Sequence, residues 1–555
     1  MTVDNSLSPH GGVLIERVSK LQDDSLERCL RLPRLALRDQ LARECVNLSY
    51  GFFSPLTGFM GLKDLDSVTK HMTLDSGYIW SIPILLDVSA ADINSLDIKT
   101  GSDVLLTYQD LPLAIMTVEE VYSYDTDFLC LNVYGTNDQA HPGVQRTQEY
   151  NEFFVGGPVT LINVPVLNSP FDEYWKTPRQ LRETFAQLGW SKVVAHQTRN
   201  VPHSGHEWLM KGASLAADAD GILVSAVIGE KKQGDYIDEA IVLSHQLLRD
   251  EGFFKKAVHY TSTLMWDMRY AGPREAVFHA LVRKNMGCTH HMFGRDHAGV
   301  GDYYDTYAAH KIFDDLPDLG IKSVLTLEWW YCPKCAGVAY EGLCGHGEQK
   351  QELSGTYIRS IIQGGVKPAP LTLRPEVLEM VRKCADQYGF GSPFVGDDYL
   401  FWADDFLNNP NQDISDTDGY SIALFGHYLT NIIDYSSNEL ESTIIRKIWE
   451  TYSSLPSAFN SMNIVLQNDY QTDFSNSWLD FTSEFKGQIL PNAIIAIFGI
   501  SIIFYPFNHG YVLKGEFNKI LLTIGFLFFF SIVMISLKRG GYGIQGLPSQ
   551  LRILI

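Results

Sequence analysis

The sequence predicts an α/β fold with a parallel sheet at its centre, and three observations carry that expectation. Apolar runs of strand length alternate with helical segments across residues 166–327, the pattern of β-α-β crossovers. Two polar, glycine-containing stretches, 197–206 and 294–301, each follow such a run directly. Both therefore fall at carboxyl ends of strands, where open α/β sheets bind their ligands. The length of 555 residues sets a prior of three to four domains at roughly 150 residues each.

Residues 1–165 hold short runs such as Ile82-Pro-Ile-Leu-Leu-Asp87 and Asp103-Val-Leu-Leu-Thr107, broken by Gly, Asp and Pro. They read as a mostly β domain. In residues 166–327 the strands are expected at Lys192–His196, Ile222–Ile228, Val258–Thr263, His290–Phe293 and Ser323–Leu327. A helix is expected at Pro273–Asn285, with proline opening its first turn. Residues 328–395 form a small subdomain. Residues 396–487 are an acidic extension with helical patterns such as Leu440–Tyr452, and residues 488–555 are an apolar terminal segment.

The stretch Gln197-Thr-Arg-Asn-Val-Pro-His-Ser-Gly-His206 holds the richest chemistry. It joins the apolar run Val193-Val-Ala195 to a helix start at Glu207-Trp-Leu-Met. Free N–H groups and the helix dipole make such a junction an anion site. Arg199 adds a fork of donors suited to an oxyanion, and Gly205 lets the backbone approach a ligand. His203 and His206 put two imidazoles at the mouth. The bland reading is a polar helix cap with two surface histidines. His206-Glu207 is no zinc-protease signature, because Met210 stands where the second histidine of HExxH belongs. A Walker A motif is absent from the sequence.

These residues resemble the HxGH mark of the nucleotidylyltransferase superfamily, and the longer string resembles the ATP sulfurylase (sulfate adenylyltransferase) family. Gly294-Arg-Asp-His-Ala-Gly-Val-Gly301 resembles that family's second anion loop, with Val300 where many members carry proline. Tyr270-Ala-Gly-Pro-Arg-Glu275 precedes it. Gly51-Phe-Phe-Ser-Pro-Leu-Thr-Gly-Phe-Met60, His141-Pro-Gly143, Ser354-Gly-Thr-Tyr-Ile-Arg359 and Arg374-Pro-Glu-Val377 extend the likeness over residues 10–395. The local wording is most similar to zinc-containing prokaryotic forms.

The resemblance implies an N-terminal PUA-like β-barrel and a Rossmann-like catalytic domain. It implies that ATP and sulfate give adenylylsulfate and diphosphate, with Mg2+ arriving on ATP, and it implies a homo-oligomer. Gln197, Arg199, Arg295 and the Ala298 N–H would hold sulfate. Thr198 and Asn200 would meet the α-phosphate and ribose side, and His203 and His206 the outer phosphates. Gly294 and His297 would border the nucleotide. Competing readings make Arg295 with Asp296 a structural ion pair and His297 a satisfied core histidine. In Val227-Ile-Gly-Glu-Lys-Lys-Gln-Gly-Asp235, Lys231 or Lys232 could reach phosphate, or both could be solvated. Two alternatives for the whole chain are an HxGH enzyme with another acceptor and an inactive nucleotide-binding scaffold for a membrane tail.

Of eight cysteines, Cys332, Cys335 and Cys344 cluster, with His346 beside them. Three thiolates and one imidazole suit a closed, structural Zn2+ site. Cys29, Cys45, Cys130, Cys288 and Cys384 are scattered and read as free thiols of a reducing compartment. The net charge of −21 argues against nucleic-acid binding. Much of it sits in residues 396–487, with 15 acidic against 3 basic residues. The polar amino terminus has no signal-peptide core, which places the catalytic part in the cytoplasm. Leu490–Phe507 and Ile520–Leu537 are each 18 residues without a charge, just long enough to span a bilayer of about 30 Å. They are expected to anchor the enzyme through residues 490–537, a buried helical hairpin or a fused gene model being the competing accounts.

Overall fold

Two sheets of opposite character divide the chain. The computed structural model describes residues 7–19, 28–164, 167, 169–232, 234–363, 366–389 and 392–395. Those up to Pro393 belong to one unit. The acidic extension and both apolar runs lie outside the described residues. Among the described residues, no helix is long and apolar enough to cross a membrane.

The N-terminal sheet has seven strands and is mainly antiparallel. Its longest strand, Phe153–Leu161, pairs with Leu111–Thr117, Gly58–Phe59, Asp87–Val88 and Glu120–Tyr122. Asp103–Tyr108 and Leu111–Thr117 are joined through Gln109 and Asp110, both at positive φ, 50° and 63°. That is the tight turn whose twist suits a two-residue hairpin. Ile82–Leu86 does not form the expected strand. It is buried, yet only Asp87–Val88 enters a ladder. Met60 N–H bonds to Ile84 C=O and Val155 N–H to Leu86 C=O, so the run meets other segments at single points. Its apolar residues are fixed by burial and not by pairing. Gly58 is required where strands cross, since a Cβ there would stand 2.0 Å from Gly157 O.

The central sheet runs, edge to edge, His259–Met265, Gly221–Ile228, Val193–Thr198, His290–Phe293 and Lys322–Leu325. All neighbours are parallel. Gly221–Ile228 is buried at every position, as a strand covered on both faces must be. Two crossovers are made by the helices Ser204–Ala217 and Asp238–Asp250, and Pro273–Asn285 occupies its expected span. The first strand runs to Thr198, two residues beyond the expected Lys192–His196, because Gln197 and Thr198 pair with Ser225 and Ala226. His290–Phe293 keeps its expected bounds, and the ends of the other strands lie within two residues of theirs. The chain's first and fourth strands of this sheet are neighbours, so crossovers leave in opposite directions on either side of them. This is a topological switch point.

The small subdomain contributes a three-stranded antiparallel sheet, Gly337–Tyr340, Trp329–Cys332 and Gln351–Glu352. The helix Pro375–Gln387 packs against Asp238–Asp250.

Polar contacts lock the N-terminal sheet's helix Asp39–Ser49 to the end of the strand His259–Met265. Arg43 forks onto Asp267 with two 3.0 Å bonds, Asn47 Nδ2 donates to Met265 O at 2.6 Å, and Glu44 pairs with buried Arg269. At the end of Pro273–Asn285, fully buried Asn285 donates to Phe52 O and Ser54 O at 2.9 Å each, and accepts from His10 N–H at 2.8 Å. Asn285→Ala would strand three buried backbone groups. It is expected to lower stability by about 2–4 kcal/mol, read as a shift in the urea midpoint. A change under about 0.5 kcal/mol would remove this side chain from the docking of the two parts.

Candidate active site at the switch point

The first strand delivers Gln197 and Thr198 to the carboxyl edge of the sheet, and Arg199–Pro202 turn the chain into the helix Ser204–Ala217. Thr198 Oγ1 closes the turn, accepting from Asn200 N–H at 3.1 Å. His203 is the N-cap. Its Nδ1 accepts from Gly205 N–H at 3.1 Å, while His206 Nδ1 receives His203 N–H at 3.5 Å. The two rings stack with centroids 3.8 Å apart. The helix-cap reading is thus correct for His203, but its ring is buried and that of His206 is half-buried against it. Burial, then the charges of His206 and His245, hold His203 well below the usual imidazole pKa, and burial lowers His206 to about 4. A neutral His203 whose Nδ1 accepts carries its hydrogen on Nε2, a donor for an anion. Glu207 is buried and forms a bidentate pair with Arg374, at 2.6 and 2.8 Å. The pair clamps the helix start to the carboxy-terminal helices.

Arg199 and Lys232 share one platform. Arg199 Nη1 donates to Tyr270 Oη at 2.6 Å, and its guanidinium lies 4.7 Å from the ring centroid. Lys232 Nζ lies 4.2 Å from the same centroid. Burial and then the Arg199 charge lower the Lys232 pKa. The two lysines are thereby separated. Lys231 is bound to Asp238 at 2.6 Å, and Lys232 is the one beside Arg199. Tyr270 holds its place with φ at 57°. Asn200 is fixed at both ends, its Oδ1 by Arg359 Nη1 at 3.0 Å and its C=O by His245 Nε2 at 3.1 Å.

The second loop follows the adjacent strand, His290–Phe293. Asp296 and Ala298 stand at φ 52° and 57°. Asp296 N–H bonds to Thr306 O, and Ala298 C=O accepts from Gly272 N–H. The Ala298 N–H makes no hydrogen bond among the described residues. Arg295 does not pair with Asp296. Its ion pair is with Glu328, at 3.1 Å. His297 belongs to a histidine chain. Its Nε2 lies 3.0 Å from His279 Nδ1, and His279 Nε2 lies 3.3 Å from Gln197 Nε2. That chain ties the first loop to the second through the helix Pro273–Asn285. Gly294 C=O meets His310 Nε2 at 3.1 Å. The structure therefore gathers Gln197, Thr198, Arg199, Asn200, His203 and His206 on one strand end, and Gly294, Arg295, His297 and Ala298 on its neighbour.

Cys332, Cys335, Cys344 and His346 come together apart from these loops, with all four ligand atoms within 4.8 Å of one another. Cys335 Sγ lies 3.9 Å from Cys344 Sγ and 3.4 Å from His346 Nδ1. The turn is tightened by Cys335 N–H on Cys332 Sγ and by Ala336 at φ 56°. The group could hold a metal ion. Sequence reasoning missed Tyr270, Arg359, Glu328, His245 and His279 as site-forming residues. Tyr270 and Arg359 stood inside motifs already singled out. Nothing local marks Glu328, His245 or His279.

A parallel sheet with two anion-type loops at its switch point, one carrying HxGH at a helix start, defines the nucleotidyltransferase class of α/β domain. Residues 172–384 match the ATP-sulfurylase family model, and residues 7–164 match the PUA-like domain model. The chain is 40% identical over 390 residues to the sulfate adenylyltransferase of Pyrococcus abyssi, covering 70% of this chain and 99% of the relative. It is 38% identical over 431 residues to that of Archaeoglobus fulgidus, covering 71% and 94%. It is 41% identical over 396 residues to that of Hyperthermus butylicus, covering 71% and 98%. The chain belongs to the sulfate adenylyltransferase (ATP-sulfurylase) family. A solved hexameric APS kinase from Thiobacillus denitrificans shares the fold, with a TM-score of 0.54 and 23% identity over 68% of each chain.

Buried neutral histidines set the acid limit of this unit. His10 and His206 are lowered to about 4 and His259 to about 3, burial being the main cause in each. The unfolded chain takes up these protons near pH 6.5 while the folded chain refuses them. Stability is therefore full above about 6.5 and falls toward pH 4, by up to roughly 1.4 kcal/mol per pH unit for each group. Urea midpoints are expected to drop between pH 7.5 and 5.0. Equal midpoints would contradict this account.

Proposed function

We propose that the chain transfers the adenylyl group of ATP to sulfate, forming adenylylsulfate and diphosphate. The observation that carries this reading is the meeting of Arg199, His203 and His206 with Arg295 on adjacent strand ends at the switch point. A sulfate oxygen attacks the α-phosphorus in line. As that P–O bond forms, the bond to the β-phosphate oxygen breaks and its electron pair leaves on diphosphate. Two anions must meet, so cancelling their repulsion and holding the line of attack are the main demands.

In this reading Gln197, Arg199, Arg295 and the unpaired Ala298 N–H hold sulfate. Thr198 and Asn200 contact the α-phosphate and ribose side. The Nε2–H of neutral His203, with His206, steadies the outer phosphates and the leaving charge. Gly294 and His297 border the nucleotide, and Lys232 adds positive charge beside Arg199. Mg2+ bound with ATP supplies further neutralisation of the phosphates. No side chain is asked to act as a nucleophile.

The Cys332, Cys335, Cys344 and His346 group fits Zn2+. A Zn–S bond of about 2.3 Å places tetrahedral sulfur atoms about 3.8 Å apart, near the 3.9 Å between Cys335 and Cys344. Four protein ligands leave no open position, so the ion is structural. Chelation at neutral pH is expected to release one zinc per chain and unfold the small subdomain, seen as new amide exchange over residues 328–352. Unchanged exchange in metal-free protein would refute a structural role.

Residues 1–165, 166–327 and 328–395 act as barrel, catalytic and zinc-binding parts of a homo-oligomer. The apolar runs within 490–537 tether it, catalytic part on the cytoplasmic side, and no role is assigned to the acidic residues 396–487. This tether rests on sequence alone. Extraction of the full chain from membranes by alkaline carbonate would disprove it. The enzyme test is diphosphate release by the full chain from Mg-ATP, with and without sulfate. Arg199→Ala and Arg295→Ala are expected to lower kcat/KM for sulfate by at least about 100-fold, and His203→Ala to lower kcat by about 10- to 100-fold with ATP still bound. Sulfate-independent release would favour another acceptor, and near-normal kinetics in all three variants would refute the assignment.

A further inference from the structure

Arg295 reaches out of its own domain. The loop backbone is anchored at Asp296 and Ala298, but the Arg295 side chain is 42% exposed. A free arginine there would lose about 2 kcal/mol of rotamer entropy on gripping an anion. Among the described residues, both of its ion-pair partners come from the small subdomain. Glu328 Oε1 lies 3.1 Å from Nη1 and Glu352 Oε1 lies 4.0 Å from it. Glu328 is itself only 13% exposed and shares its carboxylate with Lys350 at 2.8 Å. Lys350 also reaches Glu352 at 3.4 Å.

This carboxylate has a rigid mount. Glu328 immediately precedes the strand Trp329–Cys332, which ends on a cysteine of the metal-type cluster. Its N–H donates to Glu341 Oε2 at 3.1 Å, its C=O accepts from Glu341 N–H, and Tyr307 Oη donates to Glu341 at 2.8 Å. Glu352 is placed alongside by pairing opposite Trp330. Glu328, Glu352 and Glu341 thus surround Arg295 and Lys350, so the guanidinium is held on an acidic mount. Both carboxylates approach Arg295 most closely at Nη1, and a guanidinium held from that end can offer its Nε and Nη2 edge to an oxyanion, which binds best to a fork held in advance.

We propose that Glu328 is a positioning residue for sulfate, holding Arg295 in place from the cysteine-rich subdomain. This rests on the reading of Arg295 as a sulfate ligand. The test uses full-chain protein with Glu328→Gln, which keeps the shape and removes the charge. Initial rates of sulfate-dependent diphosphate release are measured against both substrates, with thermal melting alongside. The expected result is a rise of about tenfold in the KM for sulfate, with the KM for ATP and the melting temperature unchanged. In combination with Arg295→Lys, Glu328→Gln is expected to add less than twofold, because both act through one guanidinium.

A KM for sulfate within twofold of the parent overturns the inference. So does an equal rise in both KM values, or additive losses in the double variant. If Glu328→Gln does not fold, Glu328→Asp carries the same comparison, since it keeps the charge and withdraws it from Arg295. An active parent with unaffected variants defeats only this inference. A parent without sulfate-dependent release defeats the functional reading, and this inference with it.

Discussion

The parallel pairing of Val193–Thr198 with His290–Phe293 is the constraint on which the site depends. Strands buried on both faces must send their connections out at the sheet's ends, and connections leaving in opposite directions open a crevice between them. The histidine chain from Gln197 through His279 to His297 braces the two loops against each other. Movement of one strand end would therefore disturb both halves of the anion site.

Electrostatics around the crevice are local. The whole chain carries −21, yet Arg199 and Lys232 lie over one tyrosine ring and Arg295 stands on the loop after the adjacent strand. Burial, and after it repulsion from the Arg199 charge, lowers the Lys232 pKa. An incoming polyanion removes the repulsion. The neutral, capping His203 complements this arrangement, because in the proposed reaction a donor without charge would follow the leaving group without binding the ground state too tightly.

The outer parts of the described unit act as braces for this centre. Arg43–Asp267 and Asn47–Met265 seat the N-terminal sheet's helix against the strand that leads to Tyr270. From the other side Arg374 grips Glu207 at the start of the HxGH helix, and Arg359 grips Asn200. The HxGH loop is thus clamped from both flanks.

Much of this was legible in residue order. Strand–loop–helix chemistry at 197–206, the Pro273–Asn285 helix and the CxxC…CxH cluster are local patterns, set by hydrophobic period, turn chemistry and short ligand spacing. The sequence by itself therefore determined the parallel α/β core, the two anion-type loops and the cysteine-histidine group. Contacts between distant segments were decided only by the tertiary structure. Ile82–Leu86 has strand composition but is held by burial, Lys232 and not Lys231 reaches Arg199, and Arg295 turns from adjacent Asp296 to Glu328. Each choice depends on which charge or apolar face folding brings near, and residues 33, 38 or 71 positions apart carry no mutual signal until the sheet has closed.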